Sequence, residues 1–121
     1  MIEMGIETSI FESILDGDKT VEGRLRTAKF VTLRKGDKIS FRRDVWKNDR
    51  LVNSESKQAE ATITETKFYE SFDAMFADID YKIAAPQAGN LQEALSMLNK
   101  FYTADQVAEY GVVAIRFSLV A

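Results

Sequence analysis

From Val112 onward the chain alternates, with Val113, Ile115, Phe117 and Leu119 apolar and Ala114, Arg116 and Ser118 between them. A period of two predicts a strand with one buried face. A shorter version occurs at Thr20 to Leu25, where Val21, Gly23 and Leu25 fall on one side and Thr20, Glu22 and Arg24 on the other. Lys35-Gly36-Asp37 reads as a turn into a further strand over Lys38 to Arg43, with Ile39 and Phe41 pointing one way. Trp46 to Val52, centred on Asn48-Asp49, predicts a hairpin tip, and the polar stretch Glu55 to Gln58 reads as loop. Ala59, Ala61 and Ile63 then alternate with Glu60, Thr62 and Thr64, a Thr-rich pattern that favours strand.

Elsewhere the period lengthens. Ile10, Phe11, Ile14 and Leu15 share one helical face, Ser9 with Glu12 has the spacing of a capping box, and Gly17 suits the left-handed stop. Ser71 is placed to cap a helix from Phe72 to about Ile79, and Asn90 to cap one over Leu91 to Lys100. Thr103 with Gln106 predicts a second capping box, opening a helix that ends near Tyr110-Gly111. About five short strands interrupted by helices predict an α+β fold, a small mixed or antiparallel β-barrel with peripheral helices. No repeat, linker or low-complexity tract divides residues 1–121, so one domain is expected.

Composition narrows the chemistry. The chain has no cysteine and no histidine, which removes thiol nucleophiles, thiolate metal sites and the commonest general base. No metal site and no cofactor are expected. No apolar run is long enough to span a bilayer and no secretory signal opens the sequence, so a cytoplasmic protein without a membrane partner is expected. The net charge of −3 conceals a local excess of +7 from Lys19 to Arg50 and of −5 from Gln58 to the end. Such asymmetry points either to one positive face for an anionic partner or to two blocks lying against each other on the surface.

Within the basic stretch, Lys19, Glu22 and Arg24 bring opposite charges into one small volume. Glu22 and Arg24 project from the same strand face, about 6 to 7 Å apart, and Gly23 between them permits close approach of a backbone or ligand. A lysine desolvated there has its pKa lowered toward the general-base range, while a neighbouring glutamate pushes it back up. A purely structural Lys-Glu-Arg network, pinning helix to sheet, satisfies the same spacing. Trp46, beside Lys47 and near Arg50, has two readings as well: a stacking surface for a base, or a cover over the end of the barrel.

The segments ILDGDKTVEGRL, LRKGDKISF and FYTADQVAEYGVVAIRF, in that order, resemble the ASCH-domain family. That resemblance implies a PUA-like β-barrel associated with RNA, with its site beside the K-T-x-E-x-R strand. It implies site roles for Lys19, Glu22 and Arg24, with Thr20 as a helper. On that basis the chain is expected to hold single-stranded RNA or a nucleoside or nucleotide in a basic cleft. Arg24, Arg26, Lys29, Arg42 and Arg43 would meet phosphates, Lys19 and Glu22 a base or ribose, and Trp46 a further base. The alternative is a hydrolase using Lys19 and Glu22, either a weak ribonuclease or an amidohydrolase acting on N4-acylcytidine. Bacterial amidohydrolases of the family match Lys19 but carry a threonine nucleophile where this chain has Glu22. A carboxylate cannot replace that hydroxyl as acyl acceptor without a change of mechanism. Their later glutamate falls in the region of Asp78 and Asp80. The oligomeric state is left open.

Overall fold

The computed structural model describes residues 1–120. Eleven elements follow in order: β1 (Ile2–Glu7), α1 (Thr8–Asp16), β2 (Val21–Leu25), α2 (Ala28–Val31), β3 (Lys38–Lys47), β4 (Arg50–Tyr69), α3 (Phe72–Asp78), α4 (Tyr81–Ala84), α5 (Leu91–Asn99), α6 (Ala104–Tyr110) and β5 (Val112–Leu119). The strands form one sheet in the order β1-β3-β4-β5-β2. β1 runs parallel to β3 and every other pair is antiparallel. The architecture is α+β, a curled half-barrel with helices around it, as the patterning predicts.

The alternation of β5 decides where the core lies. Val113, Ile115 and Phe117 enter a cluster with Met4, Ile6, Ile39, Phe41 and Ile63, joined by Phe11 and Ile14 of α1. Val112 and Ala114 face the other way, into a second cluster with Val21, Phe72, Met75, Phe76 and Ala94. One cluster thus fills the concave side of the sheet, and the other packs α3 to α6 against the opposite face of β2 and β5. β2 is therefore covered on both faces, and it is also an edge strand. Gly23 faces the second cluster, where a Cβ would stand 3.1 Å from the Met75 methyl.

The helix ends at α3, α5 and α6 follow the local chemistry. Ser71 accepts from Ala74 N and Asn90 from Glu93 N, and Thr103 and Gln106 form the expected capping box. Gly17 closes α1 at φ 86°. α1 itself begins at Thr8, with Glu7 at its N-cap position and no side-chain cap, so the Ser9-Glu12 box is not formed. The chain enters α1 directly from β1, which fixes the start two residues earlier than the sequence pattern.

The loop expected at Glu55 to Gln58 is strand instead. β4 is 20 residues long, and its first half pairs only with β3, since β5 joins it from Ala61 onward. With both faces wet, that half carries no apolar alternation to read. The register shifts between Phe41 opposite Ala59 and Arg43 opposite Glu55, which leaves Ser56, Lys57 and Gln58 beside Arg42 alone. Lys57 takes φ 56° in this bulge. The turn Asn48-Asp49, at φ 51° and 60°, has the two positive angles of a type I′ hairpin. Trp46 does not cover the barrel end: it is 46% exposed on the projecting ribbon.

Candidate functional site

Lys19 is placed by the end of α1. Gly17 N donates to Ile14 O and Lys19 N to Ser13 O, which turns the chain sharply into β2. Thr20 is then held on two sides, donating to Ile83 O and accepting from Phe117 N. The Lys19 side chain is 3% exposed, and its Nζ donates to Val21 O at 2.8 Å and to Ala84 O at the end of α4. Two of its three protons are thereby committed to carbonyls.

Glu22 stands between two cations. Its Oε1 is 3.7 Å from Lys19 Nζ and its Oε2 is 3.6 Å from Arg24 Nη2. Both distances are ion-pair distances beyond hydrogen-bond reach, and the carboxylate accepts no hydrogen bond among the described residues. Burial holds the Lys19 ammonium below its ordinary pKa; Glu22 opposes that shift and Arg24 reinforces it. The cluster therefore is a mutually paired network, as the structural reading of the spacing requires.

Arg24 extends the network across the open side of the half-barrel. Its Nη2 donates to Gly5 O of β1 at 3.0 Å, and its guanidinium carbon lies 5.9 Å from the Phe30 ring centroid. β1 and β2 are the two edges of the sheet, so Arg24 bridges a seam that no backbone ladder closes. Tyr102 reaches the same place from the α5–α6 connection. Its ring stacks on Phe72 at 5.6 Å, and burial raises its hydroxyl pKa, with Arg24 and Glu22 close enough to act on it.

The other residues of the basic stretch divide into two groups. Lys29 stays near the seam, while Arg26 reaches from the end of β2 toward β4: Arg26 lies 3.9 Å over the Phe68 ring, and Lys29 Nζ lies 5.3 Å from the Phe30 centroid and donates to Glu3 O. Neither has an acidic partner among the described residues. Arg42, Arg43 and Trp46 lie along β3. Arg42 is held bidentately by Asp44 at 2.7 and 2.9 Å, with Ser54 also donating to that carboxylate. This pairing lowers the Asp44 pKa and raises that of Arg42. Arg43 comes within 3.9 Å of Glu12, while its buried Nε has no hydrogen-bond partner among the described residues.

Asp78 and Asp80 lie outside the network. Asp78 accepts from Lys67 and Tyr69 at 2.6 Å each, and Asp80 caps α4 through Lys82 N. Among the described residues no group of three or more carboxylates gathers where it could hold a metal. Two surface hollows, of about 380 and 480 Å³, lie around Met1 at the start of β1, the first toward Leu33 and Asp37 and the second toward Glu3, Ser40 and Lys57. They carry no counterpart of the Lys19-Glu22-Arg24 arrangement. The sequence reading does not include Tyr102, Phe72 or Gly5 at this site. Tyr102 falls inside the FYTADQVAEYGVV segment, one residue before the Thr103 cap, which is the signal that could have found it.

Among the described residues no helix is long and apolar enough to cross a membrane. No curated protein matches the chain. Among solved structures the chain is similar to the crystal structure of hypothetical protein PH0355, with 25% identity and a TM-score of 0.81 over 98% of this chain and 97% of that one. It is also similar to the solution NMR structure of protein PF0455 from Pyrococcus furiosus, with 25% identity and a TM-score of 0.74 over 98% of this chain and 96% of that one. The sequence model of the ASCH domain, whose members are PUA-like and generally RNA-binding, matches residues 4–121, and the chain belongs to that family.

Proposed function

We propose that this protein binds single-stranded RNA at the mouth of the β1–β2 seam. The observation that carries the reading is the set of cations laid against aromatic rings, Arg24 and Lys29 at Phe30 and Arg26 at Phe68. Arg26 and Lys29 have no acidic partner among the described residues and are free to meet phosphates. Arg42 and Arg43 sit further along β3 with Asp44 and Glu12 beside them, so they contribute weaker, competing contacts. Lys19 is too buried for the RNA backbone. Its role is to hold Glu22, whose free acceptor sites suit the N–H groups of a base or the hydroxyls of a ribose, with Thr20 completing the local frame.

Titration of a labelled single-stranded RNA at two salt concentrations tests the proposal. Binding that falls steeply with salt supports it, because each neutralised phosphate releases counterions. Absent or salt-insensitive binding overturns it.

One observation favours hydrolysis as the second reading. A buried lysine with a lowered pKa, beside a carboxylate, has the makings of a general base. Turnover of N4-acetylcytidine or of single-stranded RNA by the wild type, lost in Lys19→Ala, supports that reading. Equal turnover by both proteins excludes it.

A further inference from the structure

Phe68 is 43% exposed at the end of the row that runs across β2, β5 and β4 through the half-buried Arg24, the buried Val113 and Phe68. Val113 belongs to the concave core, and the row leaves that core at Phe68. The Arg26 guanidinium lies over the ring at 3.9 Å from its centroid. At that distance the guanidinium carbon lies over the face of the ring, well within the range of a cation–π contact. Arg26 is itself exposed, and no carboxylate holds it among the described residues. Its backbone N–H donates to Gly111 O at 3.0 Å, which anchors the strand beneath the side chain. A guanidinium packed on one side by an aromatic ring presents its other planar face to solvent. Unpaired RNA bases stack on such guanidinium planes and on aromatic rings.

From this arrangement we propose that Arg26 and Phe68 form a stacking shelf for one unpaired base of a single-stranded RNA, two strand positions beyond Arg24. The proposal rests on the RNA-binding reading above and goes further, since it makes Arg26 a stacking residue rather than a phosphate contact. Phe68 holds the guanidinium plane in position, and the positive charge of Arg26 also favours the adjoining phosphate. A phosphate contact needs only the charge, which lysine supplies equally. A shelf needs the plane and the ring.

The test compares Arg26→Lys, Phe68→Leu and Arg24→Ala with wild type, using a fluorescein-labelled single-stranded RNA and thermal melts to confirm folding. The shelf predicts that Arg26→Lys and Phe68→Leu each weaken binding about tenfold, with the salt dependence unchanged because no charge is lost. Near wild-type affinity for both of these variants, with Arg24→Ala impaired, overturns the shelf and leaves the binding site standing. Failure of the wild type to bind the RNA overturns both readings. A second readout places 2-aminopurine in the RNA: its fluorescence change on binding should be reduced in Phe68→Leu. An unchanged signal counts against the shelf.

Discussion

Arg24 Nη2 donates to Gly5 O at 3.0 Å, and through that bond a side chain joins the two edge strands of the sheet. A barrel closed by backbone pairing has no free edge. Here a guanidinium, shared with Glu22 at 3.6 Å, bridges the two edges instead. Removing it in Arg24→Ala leaves the Gly5 carbonyl and the Glu22 carboxylate each with one partner fewer. The expected cost is about 1 to 2 kcal/mol in unfolding free energy. Amide exchange should quicken in β1 and β2 while β4 and β5 stay protected, because the seam opens locally. Uniform loss of protection through the sheet would contradict this.

Lys19 imposes a pH dependence whose sign follows from burial. Its folded-state pKa lies below the ordinary value of 10.5, so the unfolded chain binds the proton more tightly. Across the window between those two values the unfolded state holds more protons, and stability rises with pH. Lys19→Met lacks this contribution. The wild type minus Lys19→Met difference in unfolding free energy should therefore increase as pH rises toward 10.5. Taking the difference also cancels the opposite effect of Tyr102, whose raised pKa favours the unfolded state once pH passes its ordinary value of 10.0. At pH 7 the variant should itself be less stable by about 3 kcal/mol, since two carbonyls and Glu22 lose their partner. A pH-independent difference would refute the assignment.

Gly5 lies beneath the Arg42–Asp44 pair. A Cβ there would collide with Arg42 Nη2 and Asp44 Oδ2, and Gly5 is the register partner of Arg42. Gly5→Ala should destabilise the protein by about 1 to 3 kcal/mol, and the loss should shrink in an Arg42→Ala background, where the clash with Arg42 is relieved and only that with Asp44 remains. The double-mutant cycle measures that coupling. Asp44 adds an acid-side signature. Its folded pKa is depressed below 3.8, first by the Arg42 hydrogen bond. Its contribution is present above 3.8 and is lost as pH falls through the folded value. Asp44→Asn should flatten the stability profile in that acid range, as followed by urea unfolding.

The sequence exposed those parts of the fold that depend on neighbours in the chain. Ser71, Asn90 and Thr103 cap their helices because capping needs only the next three residues. The β5 alternation was legible in its second half, where Arg116 and Ser118 are less buried than Ile115 and Phe117 on the other face; Val112 to Ile115, between two cores, read as a continuous apolar run. β1 alternates too, with Met4 and Ile6 buried, but its parallel pairing with β3 joins segments more than thirty residues apart, which no local pattern states. α2 and α4 are four residues each, too short to show a helical period. At the site, the spacing of Lys19, Glu22 and Arg24 predicted their meeting. The reach of Tyr102 and the bridge to Gly5 came only with the folded sheet, because both cross between elements distant in sequence.

Trp46 is the sole tryptophan of the chain, which makes the β3–β4 ribbon readable by fluorescence. It stands 46% exposed opposite Leu51, with Lys47 and Arg50 paired beside it. Asp44, two residues earlier on the same strand face, is within the field of Arg24, so the ribbon begins next to the seam. The native emission maximum should already be that of a solvent-exposed indole, and unfolding in urea should move it little. Trp46→Ser should cost under about 1 kcal/mol, since the side chain leaves little buried area to lose. If RNA bound at the seam continues along the ribbon, adding it should quench the Trp46 emission, and Trp46→Ser should weaken binding by about 5-fold or more through lost stacking. Unquenched emission with wild-type affinity in Trp46→Ser would confine the RNA to the seam and its mouth.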